Sequence, residues 1–149
     1  MTDQFAAACA TSVKEGLTIA LNGQLGSGKT RFVKAFCHAM GIDSSLVTSP
    51  TFLLMQLYQG TEWTVGHFDT YRLADHEEFL ALGADEYLLD PQYVCLVEWA
   101  SRVDAVLPED HLQVEISQTG LTQRRFDLRS SGPVSGELLE RVRTTLALN

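Results

Sequence analysis

The stretch LTIALNGQLGSGKTRFVKAFCHAMG, residues 17–41, divides into three parts. LTIALNG is an apolar run of strand length closed by a Gly-containing turn. From Gly28 to Met40 the apolar residues Phe32, Val33, Phe36 and Met40 recur at helical spacing, with Gly41 placed as a C-terminal stop. Between them GQLGSGKT, residues 23–30, fits the pattern G-x-x-x-x-G-K-[ST]. The spacing has a physical reason: glycines let successive backbone N–H groups turn toward phosphate oxygens, where a Cβ would obstruct the approach. Lys29 is placed to neutralise the β and γ phosphates of a nucleoside triphosphate. The Thr30 hydroxyl is placed to coordinate Mg²⁺, at a helix N-terminus whose dipole already favours anions. Gly23, Gln24, Leu25, Gly26, Ser27, Gly28, Lys29 and Thr30 are therefore the candidate nucleotide-binding residues.

The rest of the chain sets the bounds. With 149 residues, 45% of them apolar, one domain over residues 1–149 is expected, with a core that needs no disulfide or structural metal. The three cysteines, Cys9, Cys37 and Cys95, are widely spaced and form no C-x-x-C pair, which suggests buried thiols. No apolar window approaches the ~20 residues of a membrane span, and MTDQFAAACATSVKEG lacks a basic region before an apolar one, so a cytoplasmic protein is expected. A net charge of −8 argues against general attraction to nucleic acid, DNA or RNA, or to anionic lipid.

Residues 4–15 suit a short helix. FLLMQLY and TEWTVGHFD suggest two strands joined at Gln59 and Gly60 as a hairpin. DHEEFLAL offers a capping box, with Asp75 as N-cap and Glu78 three residues on, and Gly83 follows the last turn. YVCLVEW is a nearly unbroken apolar run, as expected of a central strand covered on both faces. SRVDAV suits a short helix before Pro108, HLQVEIS and QRRFDLR alternate like sheet-edge strands, and GELLERVRTTLAL suits an amphipathic helix. The sum is one α/β domain, with antiparallel hairpin strands added to its sheet.

Magnesium at such a loop is usually held also by an acidic residue at the end of a neighbouring strand. Glu98, after VCLV, and Asp69, after TVGHF, are the two candidates, since ligands of open α/β sheets bind at that edge. VTSPTF, residues 47–52, supplies the hydroxyls of Thr48, Ser49 and Thr51 where loop NTPases often sense the γ-phosphate. His67 reads as a packed or hydrogen-bonded strand residue and Trp99 as core. The absence of an N-K-x-D guanine signature favours ATP. A small-molecule kinase would call for an arginine-bearing lid, and the only Arg-dense segment is QRRFDLR, from which Arg124 or Arg125 could reach the triphosphate. A nucleotide-stiffened assembly module without required hydrolysis is the other alternative.

GQLGSGKT, VTSPTF, HFDTYRL, ALGADEY and LVEW, in this order and at these spacings, resemble the TsaE (YjeE) family, the ATPase of bacterial tRNA threonylcarbamoyladenosine biosynthesis. The resemblance runs from about Thr18 to Ala100 and implies an α/β P-loop NTPase fold of three layers, with a mixed, mainly parallel sheet plus antiparallel hairpin strands. It implies a partner-dependent Mg²⁺ ATPase, slow when alone, that works with TsaD and TsaB and meets tRNA only through that complex, which modifies adenosine 37. By motif position it implies that Gly23 to Thr30 bind phosphates, that Thr30 and Glu98 ligate Mg²⁺, that Asp69 is a polar partner of the catalytic centre beside Lys29 and Glu98, and that Thr51 senses the γ-phosphate. The chain departs from the family pattern at Gln24, where Asp is frequent, at Ser27, where Ala is common, and at Arg31, where a small hydroxyl residue is usual.

Overall fold

The computed structural model describes residues 1–48 and 54–147. Helix α1 (Thr2–Thr11) precedes strand β1 (Leu17–Gly23), and α2 (Lys29–Ala39) follows it. A 3-10 turn over Ser44–Leu46 comes before β2 (Met55–Gln59) and β3 (Thr64–Asp69). Next are α3 (His76–Ala81), α4 (Ala84–Leu88), β4 (Tyr93–Glu98) and a 3-10 segment over Ala100–Val106. Strands β5 (His111–Gln118) and β6 (Arg124–Ser130) and helix α5 (Pro133–Leu146) follow.

The strands form one six-stranded sheet in the order β2-β3-β4-β1-β5-β6. The pairs β3–β4, β4–β1 and β1–β5 are parallel, and the flanking pairs β2–β3 and β5–β6 are antiparallel. This is the mixed sheet expected of a P-loop NTPase. On one face α1, α2 and α5 pack Phe5, Phe32, Phe36, Leu138 and Val142 against Ile19 and Leu21 of β1, Leu96 of β4 and Val114 of β5. On the other, Phe79 of α3, Leu88 of α4 and Val103 of the 3-10 segment pack on Ala20, Phe68, Cys95 and Val97. The architecture is helix, sheet, helix. Full burial of each large apolar side chain here contributes about 1.5–3 kcal/mol relative to exposure.

Three local expectations change. The β2–β3 turn occupies residues 60–63 rather than Gln59 and Gly60: Gln59 pairs with Thr64 and the Gly60 N–H donates to the Trp63 carbonyl at 2.9 Å. Trp63, the last residue of the turn, packs against the core, and β3 starts at Thr64. Strand β5 is interior, not an edge strand, and lies between β1 and β6. Its alternation persists because the helices on one face cover only β1, β3 and β4, so Gln113 and Glu115 face outward while Leu112, Val114 and Ile116 are buried. Finally, α3 stops before Gly83 as expected, but an added short helix follows it: Gly83, at φ 78°, is the N-cap of α4. The Asp75 cap forms as expected, its carboxylate accepting from the Glu78 N–H at 3.0 Å, while the Glu78 carboxylate reaches back to the Ala74 N–H. No helix among the described residues is long and apolar enough to cross a membrane.

Candidate nucleotide-binding site

The site forms where β1, β3 and β4 end together at the C-terminal edge of the parallel sheet. Gly26 and Gly28 take φ of 81° and 111°, and a Cβ on either would meet no atom within 4 Å. Both therefore adopt backbone that other residues avoid and leave open space, a cradle that side chains would fill. Gly23, at φ 152°, is glycine for a further reason: a Cβ there would lie 2.5 Å from the Ile116 carbonyl oxygen of β5 and from the Ser27 hydroxyl. Ser27 is buried beneath the loop, and Leu25 at its tip is 82% exposed.

Lys29 opens α2 but folds back under the loop. Its Nζ donates to the carbonyl oxygens of Gly23 at 2.6 Å and Gln24 at 3.0 Å, and lies 3.9 Å from the centroid of the Trp99 ring. Burial pulls the ammonium below its ordinary pKa, opposed by the carboxylates of Glu98, Asp69 and Glu115. A desolvated cation at the centre of a glycine-rich loop is a strong anion anchor.

The adjoining Thr30 hydroxyl donates to Glu98 Oε1 at 3.0 Å, joining residues 68 apart in sequence. Glu98 is 2% exposed, and its Oε2 lies 2.6 Å from His67 Nε2. Asp69, the register partner of Glu98 across β3–β4, is also buried and accepts from the Tyr71 N–H through Oδ1 at 3.0 Å. Thr70 ties the two strand ends together, its hydroxyl lying 3.0 Å from the Glu98 carbonyl oxygen and 2.7 Å from that of Trp99. These groups border an open cleft of about 360 Å³ between Gly26, Gly28, Lys29 and Thr30 on one side and Asp69, Tyr71, Arg72 and Trp99 on the other.

The donor chemistry fits a hard cation. Thr30 and Glu98 offer two oxygens within one hydrogen bond of each other. Among the described residues no group of three or more His, Cys, Asp or Glu could by itself hold a metal. So small a protein share suits Mg²⁺, which keeps several waters and takes phosphate oxygens as ligands.

Arg124 is brought to the loop but not to the cleft: its Nε donates to the Ser27 carbonyl oxygen at 3.0 Å and bolts the start of β6 to the loop. Arg125 turns outward to Asp127 at 3.1 Å. Arg31 is exposed and paired with Asp3 at 3.0 Å. Thr51, with Ser49 and Pro50 of VTSPTF, lies outside the described residues. Trp99 is not core: half-buried with φ 59°, it covers Lys29 and meets Tyr71 at 4.9 Å between ring centroids. Sequence reasoning did not single out Tyr71 and Arg72 as cleft residues. Their signal was position, since they directly follow β3 at the edge where ligands of such sheets bind.

Residues 1–126 match the family described as threonylcarbamoyl adenosine biosynthesis protein TsaE. The tRNA threonylcarbamoyladenosine biosynthesis protein TsaE of Bacillus subtilis is 38% identical over 88% of this chain and 80% of its own length. That of Treponema pallidum is 43% identical over 65% of this chain and 70% of its own. The crystal structure of Bacillus subtilis YdiB superposes with a TM-score of 0.78 at 31% identity, covering 96% of this chain and 87% of that one. With a phosphate-binding loop at the end of β1 and this fold around it, the chain is a P-loop nucleotide-binding protein and belongs to the TsaE family.

Proposed function

We propose that the protein binds ATP with Mg²⁺ and hydrolyses it in the service of tRNA threonylcarbamoyladenosine formation, acting with TsaD and TsaB. The observation that carries the reading is the 3.0 Å contact between Thr30 and Glu98, which places a hydroxyl and a carboxylate side by side at the N-terminus of α2. In this reading residues 1–149 act as one domain, which is supported by the single continuous sheet.

Gly23 to Thr30 would cradle the phosphates with backbone amides, and Lys29 would exchange its hold on the Gly23 and Gln24 carbonyls for the β and γ phosphates. Thr30 and Glu98 would hold Mg²⁺. When bound, the ion supplies charge neutralisation to the phosphate oxygens. Asp69 lines the same cleft as a polar partner of the centre. Arg124 acts by fixing the loop through Ser27. Thr51 remains the proposed γ-phosphate sensor. The tRNA is met through the partner complex, in keeping with a net charge of −8.

Such a site works by positioning and charge, and a group missing until a partner arrives changes rates by ~10³–10⁵. Slow turnover by the isolated chain and stimulation by TsaD and TsaB follow. The first test is calorimetric titration of the protein and of Lys29→Ala with ATP and with GTP, each with Mg²⁺. Binding of ATP that is lost in Lys29→Ala supports the reading, and equal affinity for GTP contradicts the choice of nucleotide.

A further inference from the structure

His67 is 0% exposed on the α1, α2, α5 face of the sheet, between Val65 and Asp69 on β3 and beside Leu96 on β4. Strand alternation sends Val65, His67 and Asp69 to this one face. An imidazole among valines and leucines is a poor packing choice unless its polar atoms are used. Nε2 is used: it lies 2.6 Å from Glu98 Oε2. A carboxylate oxygen accepts, so Nε2 carries the proton and donates. Nδ1 has no hydrogen-bond partner among the described residues. Among the described residues, the one hydrogen bond of this buried ring is therefore aimed at the carboxylate that faces the loop.

That contact decides how Glu98 can act. Oε2 is held from the protein interior by His67, and Oε1 receives the Thr30 hydroxyl at the cleft. With both oxygens fixed, the carboxylate plane is set and only Oε1 is turned toward the loop. A cation there would take a single oxygen from Glu98. Mg²⁺, small and octahedral, accepts that arrangement, whereas Ca²⁺ favours more ligands and often a bidentate carboxylate.

We propose that His67 is a positioning residue that locks Glu98 into one-oxygen ligation and thereby sets both the affinity of the site for Mg²⁺ and its discrimination against Ca²⁺. The inference rests on the assignment of Thr30 and Glu98 to Mg²⁺. It adds a role for a residue that touches neither nucleotide nor metal. Outer hydrogen-bond partners of ligating carboxylates change metal affinity by 10–100-fold when removed.

The test follows binding of the fluorescent nucleotide N-methylanthraniloyl-ATP while MgCl₂ or CaCl₂ is titrated, in wild type, His67→Leu, His67→Gln and His67→Asn. Nucleotide affinity without divalent cation is expected to be the same in all four. His67→Leu is expected to raise half-saturating Mg²⁺ about tenfold or more and to narrow the Mg²⁺ over Ca²⁺ preference. His67→Gln, whose amide nitrogen stands in for Nε2, is expected to restore both to near wild type, and His67→Asn, too short to reach Glu98, is not. Should His67→Leu fail to fold, the Gln and Asn pair decides, and equal half-saturation in those two overturns the proposal. Unchanged Mg²⁺ response in folded His67→Leu overturns it alone. A wild type whose nucleotide affinity ignores Mg²⁺ overturns the metal assignment and this inference together.

Discussion

Asp69 ends β3 and Glu98 ends β4, and the two are register partners across a parallel pair. Both are buried and both border the cleft. The Asp69 carboxylate accepts from a backbone N–H two residues on, whereas that of Glu98 reaches sideways to the first turn of α2 and to His67 of the neighbouring strand. The difference follows from one methylene. Asp is short enough to close a turn on its own backbone, and Glu is long enough to join elements that are far apart in sequence. Position on the sheet edge brings a carboxylate to the site, and side-chain length decides what it can bridge there.

The strongest way to break this comparison is at Glu98. Glu98→Gln is expected to abolish the Mg²⁺-dependent gain in nucleotide affinity and to lower partner-stimulated phosphate release by about 10²–10³, the scale of losing one preorganised charge-stabilising group. Glu98→Asp keeps the charge but shortens the reach, and should behave nearly as badly. A fully active Glu98→Asp would show that bridging is not what matters. Asp69→Asn preserves an oxygen for the Tyr71 N–H. It should lower turnover by about tenfold while leaving half-saturating Mg²⁺ within about twofold of wild type. Equal shifts in Mg²⁺ dependence for Asp69→Asn and Glu98→Gln would erase the distinction.

A third carboxylate sharpens the contrast from the stability side. Asp110, in the bend that leads into β5, accepts from the N–H groups of Val134 at 2.7 Å and Ser135 at 3.0 Å and so caps α5 from far away in sequence. Asp110→Ala should lower unfolding free energy in urea by about 0.5–2 kcal/mol, with nucleotide binding retained. Burial raises the Asp110 pKa, but the hydrogen bonds from Ser135 and Val134 outweigh it and the net value is lowered. Its contribution is therefore fully present above its unfolded value near 3.8 and is lost as pH falls through the lower folded value. The wild-type and Asp110→Ala stability curves should converge in that acid range. The smallest effect expected is at the thiols. Burial pushes Cys9, Cys37 and Cys95 up to about 12, so iodoacetamide at pH 8 should leave the native protein unmodified and its nucleotide affinity unchanged.

The segment from Leu17 to Gly41 was legible because its signals are local: an apolar run, glycines at fixed spacing, a helical period and a stop. Glu98 was legible as a strand-end charge after VCLV, and Asp69 likewise. The strand order was not, since nothing in TVGHFD or YVCLVE states that β3 and β4 lie side by side. For the same reason the Thr30–Glu98–His67 chain could not be read, because it exists only once three strand ends converge. His67 had a usable signal in its inward position two residues before Asp69, but alternation alone cannot tell a ring that fills space from one that holds a carboxylate. Helix α4 was missed because five residues are too few for a period to show. The interior place of β5 was hidden by a real alternation, produced by a helix layer that stops short of it.

The central claim is that the nucleotide is held to drive a cycle with protein partners. It is tested most directly by phosphate release from MgATP by the pure protein, with and without purified TsaD and TsaB, using Lys29→Ala as the blank. The account predicts a low rate alone, a strong rise with the partners and no release above background in Lys29→Ala. A rate in the wild-type protein that is indifferent to the partners would contradict it and return the site to the small-molecule kinases.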